Sequence, residues 1–242
     1  MNRQDRACYF RIMRESARTS TSDSRSYPFA AVLFDLDGVI IDTTALHYRA
    51  WEEFGRAHGH VPSRDELLAT NGRRAGEVLR VWFGEGLSDG EAAALVLERE
   101  SLFNRLLATE SVSEVPGVRE FLEALRRAGV PRAVATSAVP MNAELSLSRL
   151  GLREMFDARL TAADVVRGKP DPEVYLKAAS ALGVASTACL VVEDAVLGVR
   201  AALAAGARCL ALTTTFPRDV LLQEAPHWLA EDFRTLPSPI AL

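Results

Sequence analysis

The stretch VLFDLDGVIID, residues 32–42, sets two carboxylates, Asp35 and Asp37, at the end of an apolar run. Aspartate is poor in strands, and an ionised carboxylate without a partner is costly to bury. Two further apolar runs close on polar residues: PRAVATS ends at Thr136 and Ser137, and ACLVVED ends at Glu193 and Asp194. The remaining piece is RGKPDPEVY, which contains Lys169, one of only two lysines in the chain. Carboxylates gathered in one place repel each other unless a cation joins them. Hard oxygen ligands without cysteine or histidine point to Mg²⁺ rather than zinc. A lysine in such a site is charge-paired and can hold a phosphate beside the metal.

The chemistry this set can do is phosphoryl transfer. Asp35, backed by a cation and Lys169, is a nucleophile toward phosphorus through an aspartyl-phosphate. Asp37 can serve as general acid and base, first on the leaving oxygen and then on water. Thr136, Ser137 and backbone N–H groups at a helix start can bind the phosphoryl oxygens. An ordinary helix cap remains the competing reading for Thr136 and Ser137. A calcium loop at Asp35–Asp37 fails, because Gly38 comes too early and an apolar strand precedes it.

Such residues must be brought together by a scaffold. The run AAVLF before Asp35 is short and continuously apolar, as in a parallel sheet covered on both faces. After Pro116, strands (PRAVATS, DARLTA, ACLVVED, ARCLALT) alternate with helices (GVREFLEALRRAG, MNAELSLSRLG, DPEVYLKAASALG, AVLGVRAALAAG). That alternation predicts βαβ units, hence an α/β fold with a Rossmann-like parallel sheet. In such sheets ligands bind outside the carboxyl ends of the strands, near a switch in strand order, so Asp35, Ser137 and Asp194 can meet. Between the first strand and this alternation lie only helical signals. TTALHYRAWEEFGRAHG has threonines at its start and closes on Gly59, and SRDELLAT begins with Ser63 and Glu66 in capping-box spacing. RAGEVLRVWFGEG and SDGEAAALVLERESLFNRLLA follow, the second read as packing an apolar stripe. The expected organisation is a disordered extension over 1–27, a core of 28–42 and 113–242, and an inserted α-helical cap domain over 43–112. Asp42 and Thr43 are expected to cap the first inserted helix, and His58 and His60 to be exposed.

Composition narrows the classes. At net charge −4 there is no electrostatic footprint for nucleic acid or an anionic membrane. No apolar stretch is long enough to span a bilayer. Three cysteines are too few for a disulfide framework, and Cys189 and Cys209 read as buried thiols suited to a reducing cytosol. A cytoplasmic location is expected, and nothing demands a partner subunit, so a monomer is expected too.

Four motifs carry a family resemblance. DLDGV at 35–39, TS at 136–137, GKPDPEVY at 168–175 and VVEDA at 191–195 resemble, in order and spacing, those of the haloacid dehalogenase superfamily. The helical insertion resembles the branch of β-phosphoglucomutase and sugar-phosphate phosphatases. The resemblance implies Asp35 as nucleophile and Asp37 as acid/base. Mg²⁺ is then held by the Asp35 carboxylate, the Asp37 carbonyl and Asp194, with Glu193 close by. It implies phosphate binding by Ser137 and Lys169 with Thr136 alongside, and Asn142 reaching toward the transferring group.

Cap residues separate the alternatives. His47 either lies near the hinge, as in the mutase branch, or packs between cap and core. Arg73 and Arg74 in NGRR either hold a second anionic group or sugar hydroxyl, or are surface arginines. Residues 43–112 contain no lysine, which excludes a Schiff-base phosphonate hydrolase. A dehalogenase lacks the second acid, which here is Asp37. Asn71 stands where β-phosphoglucomutase has a cap lysine beside this Gly72, which weakens the mutase reading. The leading expectation is a Mg²⁺-dependent phosphatase acting on a small phosphate monoester such as a sugar phosphate. A sugar-phosphate mutase is the alternative, and a non-catalytic regulatory protein a further one.

Overall fold

The computed structural model describes residues 27–241. Six parallel strands form one sheet in the order β3-β2-β1-β4-β5-β6. They are β1 Ala31–Phe34, β2 Arg132–Ala135, β3 Ala158–Leu160, β4 Cys189–Glu193, β5 Arg208–Leu212 and β6 Trp228–Ala230. The chain leaves β1 toward β2 and β3, then returns to lay β4 on the other side of β1. The strand order therefore reverses between β1 and β4, where such sheets open a crevice at their carboxyl ends. Register ties these ends together: Phe34 pairs with Val134 on one side and Val192 on the other.

Alternate strand residues feed two cores, as side chains of a strand point to opposite faces. Val32, Phe34, Val134, Val192 and Leu210 face one side, which is covered by helices α5 (Val118–Arg127) and α6 (Pro140–Leu150). Ala31, Leu33, Ala133, Val191 and Cys209 face the other, covered by α7 (Glu173–Ala181) and α8 (Val196–Ala204). The small alanines of that second face let α7 and α8 lie close to the strands. Cys189 and Cys209 are buried free thiols here, as expected.

The inserted helices are α1 (Thr44–Ala57), α2 (Arg64–Thr70), α3 (Ala75–Phe83) and α4 (Asp89–Thr109). Capping boxes at Ser63/Glu66 and Ser88/Glu91 start α2 and α4. Trp51, Phe54, Leu67, Val78 and Leu79 give this cap its own small core. Phe103 and Leu107, at the far end of α4, instead join the core beneath the sheet. The two connecting segments pair with each other: Asp42 N–H donates to Ser113 O at 3.0 Å and Val115 N–H to Ile40 O at 3.0 Å.

Strand β6 and the five-residue α9 (Arg218–Leu222) were not expected from the sequence. Both are too short to show a period, and β6 is a strand only because it pairs with β5, Leu210 opposite Trp228. The extension expected over 1–27 lies outside the described residues except for Tyr27. That ring meets Phe29 and Phe121 edge-on at 5.5 and 6.5 Å between centroids.

Candidate active site

Asp35 leaves the end of β1 with its backbone N–H bonded to Val192 O at 3.0 Å, so the register with β4 sets its place. Glu193 and Asp194 follow on the neighbouring strand. Asp35, Glu193 and Asp194 each offer a carboxylate oxygen within 4.8 Å of the others, and all three are buried. Lys169, also buried, reaches in from the loop before α7, with Nζ 2.7 Å from Asp35 Oδ1 and 2.6 Å from Glu193 Oε1. One ammonium against three buried carboxylates leaves excess negative charge, which burial makes expensive. Burial pushes the Asp35 carboxyl up to about 7, with Glu193 adding to the rise against the pull of Lys169. Asp194 is raised well above the ordinary range by burial and by the charges of Glu193 and Asp35. Burial pulls on Lys169 in the other direction, but Asp35 and Glu193 outweigh it and keep the ammonium charged. A divalent cation fits this oxygen set and would relieve the repulsion.

The members of the triad are not equivalent. Glu193 is fully engaged: Oε1 takes Lys169 and the Tyr175 hydroxyl, and Oε2 accepts the backbone N–H of Asp194 and Ala195 at 3.0 and 3.3 Å. It acts as an anchor for Lys169, and helix α8 makes room for it with Gly198, where a Cβ would fall 1.8 Å from Oε1. Gly38 plays the same part for Asp194. It adopts φ +76°, open to glycine at little cost, and a Cβ there would lie 2.0 Å from Asp194 Oδ2. The Asp194 carboxylate thus lies directly over the turn that follows Asp37.

Asp37 turns away from the triad. Its Oδ1 accepts the Thr43 hydroxyl at 2.6 Å and stands 3.2 Å from His47 Nε2. Burial pushes Asp37 up, but His47, Thr43 and Arg99 outweigh it and hold the carboxyl below its usual range. Thr43, expected only as a cap, sits at the start of α1 without capping it through its side chain. Its hydroxyl is committed to Asp37, which corrects that expectation. Asp42 is exposed.

His47 belongs to a longer chain of contacts. Its Nδ1 lies 2.8 Å from Arg99, which bonds Glu100 Oε1 at 3.0 Å, and Glu100 Oε2 accepts Asn142 Nδ2. The His47 ring stacks on Phe103 with centroids 3.9 Å apart, and the Arg99 guanidinium lies 4.3 Å above the Trp51 ring. Arg99 and Glu100 were not singled out in the sequence, where EAAALVLERESLF reads as packing only. The available signal was their place on the stripe that Phe103 and Leu107 continue at helical spacing.

Asp35, Asp37, His47, Ser137, Asn142 and Asp194 all line one pocket between sheet and cap, and Arg73 and Thr136 line it too. Ser137 Oγ donates to Gly72 O of the cap at 2.8 Å, and Thr136 Oγ1 accepts the N–H of Ala138 at 3.0 Å. Arg74 lines an adjoining cavity instead. It is tied to Glu77 at 2.8 Å and to Val166 O across the domain gap at 2.9 Å. Asn71 donates to the Tyr48 hydroxyl at 2.6 Å.

Residues 29–206 match the model of a haloacid dehalogenase-like hydrolase. The chain belongs to that family. It is 39% identical over 183 residues to hexitol phosphatase A of Escherichia coli (strain K12), covering 74% of this chain and 81% of the relative. It is 38% identical over 198 residues to validoxylamine A 7'-phosphate phosphatase of Streptomyces hygroscopicus subsp. limoneus, covering 81% of this chain and 91% of that one. A solved hydrolase of this family, family IA variant 3 from Entamoeba histolytica HM-1:IMSS, superposes with TM-score 0.79 at 30% identity, over 87% of this chain and 97% of the other. The parallel sheet with an inserted helical cap is thus the family's fold.

Proposed function

We propose that this chain is a Mg²⁺-dependent phosphatase that hydrolyses phosphate monoesters of small sugars or polyols through an aspartyl-phosphate on Asp35. The observation that carries the reading is the parting of the two acids. Asp35 is drawn into the buried triad, 2.7 Å from Lys169, while Asp37 faces Thr43 and His47. One carboxylate is placed to attack, and the other to move protons. The sugar or polyol leaving group follows the likeness to hexitol phosphatase A.

In this reading an Asp35 oxygen forms a bond to phosphorus as the bond to the leaving oxygen breaks, and Asp37 gives that oxygen its proton. Asp37 then takes a proton from water, whose oxygen attacks phosphorus, releases inorganic phosphate and restores the Asp35 carboxylate. The pull of His47 and Thr43 favours the ionised Asp37 needed for this second half. Lys169, anchored by Glu193, and Ser137 with Thr136 bind phosphoryl oxygens. Asp35, Asp194 and the Asp37 carbonyl would hold the Mg²⁺, beside Glu193. The bound cation supplies charge neutralisation for the phosphoryl oxygens. Residues 43–112 act as a cap over a core of 28–42 and 113–242. The enzyme works on a small soluble ester, as a cytoplasmic monomer without nucleic acid, and its two buried thiols suit a reducing compartment.

The test is release of inorganic phosphate from a panel of sugar phosphates, polyol phosphates, phosphoglycolate and nucleotides, with and without Mg²⁺. Mg²⁺-dependent release is expected, strongest on sugar or polyol esters. Conversion of a hexose 1-phosphate to the 6-phosphate with little free phosphate would replace the phosphatase by a mutase. Silence across the panel would favour a binding role.

A further inference from the structure

The wall of the pocket beyond the phosphoryl site holds a buried carboxylate that the proposed mechanism does not use. Glu100 lines the active-site pocket and the cavity that adjoins it, and is only 8% exposed. A carboxylate this deep must be compensated. Arg99 does so at 3.0 Å, and Arg99 is in turn spent on His47 at 2.8 Å and on the face of Trp51. Each carboxylate oxygen can accept about two hydrogen bonds. Glu100 receives one on Oε1 from Arg99 and one on Oε2 from Asn142, so both oxygens keep acceptor capacity. Beside it, Asn142 is 2% exposed and its Oδ1 has no hydrogen-bond partner. This wall therefore offers spare acceptors, while both terminal nitrogens of its cation, Arg99, are engaged and only the buried Nε–H of that guanidinium lacks a partner.

At Glu100 such a surface matches hydroxyl donors and mismatches a second phosphate, although Arg73 lines the same pocket and Arg74 and Arg80 the adjoining cavity. We propose that Glu100, with Asn142, is a specificity-determining acceptor pair that takes hydroxyl groups of a polyhydroxylated leaving group and excludes bisphosphates. The inference rests on the phosphatase reading and narrows its substrate to neutral polyol or sugar monophosphates. A site built to accept hydrogen bonds from a substrate rejects an analogue lacking them, because buried polar atoms are left unpaired. A phosphate placed there would meet a carboxylate at short range in a water-poor cleft.

The experiment compares kcat/KM of the wild type, Glu100→Gln and Glu100→Ala on sorbitol 6-phosphate, propyl phosphate and fructose 1,6-bisphosphate, with Mg²⁺ present. Ratios between esters are taken within one preparation, so a partly unfolded variant still reports. For Glu100→Ala, the sorbitol 6-phosphate to propyl phosphate ratio is expected to fall about tenfold or more. For the isosteric Glu100→Gln, the bisphosphate to monophosphate ratio is expected to rise about tenfold, as charge repulsion is lifted. Equal losses on sorbitol 6-phosphate and propyl phosphate would overturn the proposal, leaving Glu100 as a support for Arg99. An unmoved bisphosphate ratio in Glu100→Gln would overturn it too. A wild type inert on all three esters would remove the phosphatase reading itself and this inference with it.

Discussion

At the scale of single residues, the site works by giving chemically identical groups different surroundings. Asp35 shares a lysine with Glu193, and Asp37, two positions on, shares a hydroxyl with Thr43. Asp35→Asn should abolish steady turnover, a loss of about a thousandfold or more, with the circular dichroism of the fold retained. Asp37→Ala should cost about a hundredfold in kcat. Sustained turnover by Asp35→Asn would contradict attack through that side chain. The ion-free charge balance makes a second prediction. The Asp35 carboxyl is raised from 3.8 to about 7, so its contribution to the ion-free fold is greatest below the unfolded value and is lost as pH rises toward about 7. A cation that binds the ionised form takes the proton's place. The rise in melting temperature caused by Mg²⁺ should therefore grow between about pH 5.5 and about pH 8. A shift independent of pH would show that the ion does not displace protons from this cluster.

At the scale of elements, turns and helices make room for the carboxylates. The turn after β1 passes under Asp194 because Gly38 has no Cβ, and α8 passes Glu193 because Gly198 has none. Gly38→Ala combines a positive φ with a contact of 2.0 Å. It should destabilise the fold by about 1–3 kcal/mol and displace Asp194. The measurement is thermal melting with and without Mg²⁺: the variant should lose most of the Mg²⁺-induced shift. A full shift in Gly38→Ala would mean that the loop relaxes freely and that Asp194 needs no such seat. Helix α4 is the other decisive element, since it carries Arg99 and Glu100 toward the pocket at mid-length and anchors in the core through Phe103 and Leu107.

At the scale of the whole molecule, cap and core meet over the pocket through a set of direct polar ties, Thr43 and His47 to Asp37 among them. Ser137 reaches Gly72 O, Arg74 reaches Val166 O, and Glu100 meets Asn142. The two connecting segments pair by backbone hydrogen bonds, Asp42 with Ser113 and Val115 with Ile40. We propose that the inserted helices close to exclude water from the phosphoryl group and open to release product. Saturating orthovanadate with Mg²⁺ should slow amide hydrogen exchange in residues 70–76, the cap loop over the site, relative to the ligand-free protein. Unchanged exchange there would argue against gating by this loop.

The sequence by itself determined the phosphoryl chemistry and the fold that serves it. Motifs of two to eight residues at strand ends are local signals, and alternation of apolar strands with amphipathic helices is a pattern any stretch carries within itself. Asp35, Asp37, Ser137, Lys169 and Asp194 could be read for that reason. The tertiary structure alone decided which of these acids pair with which cation. It set Glu193 in contact with Lys169, and made Thr43 a partner of Asp37 rather than a cap. It also brought Arg99 and Glu100 to the pocket. These roles depend on contacts between residues 6 to 134 positions apart, from Thr43 with Asp37 to Lys169 with Asp35. A charged residue on a helix reads the same whether that face meets water or a neighbouring domain. Strand β6 escaped for the same reason, since three residues become a strand only when β5 supplies the ladder.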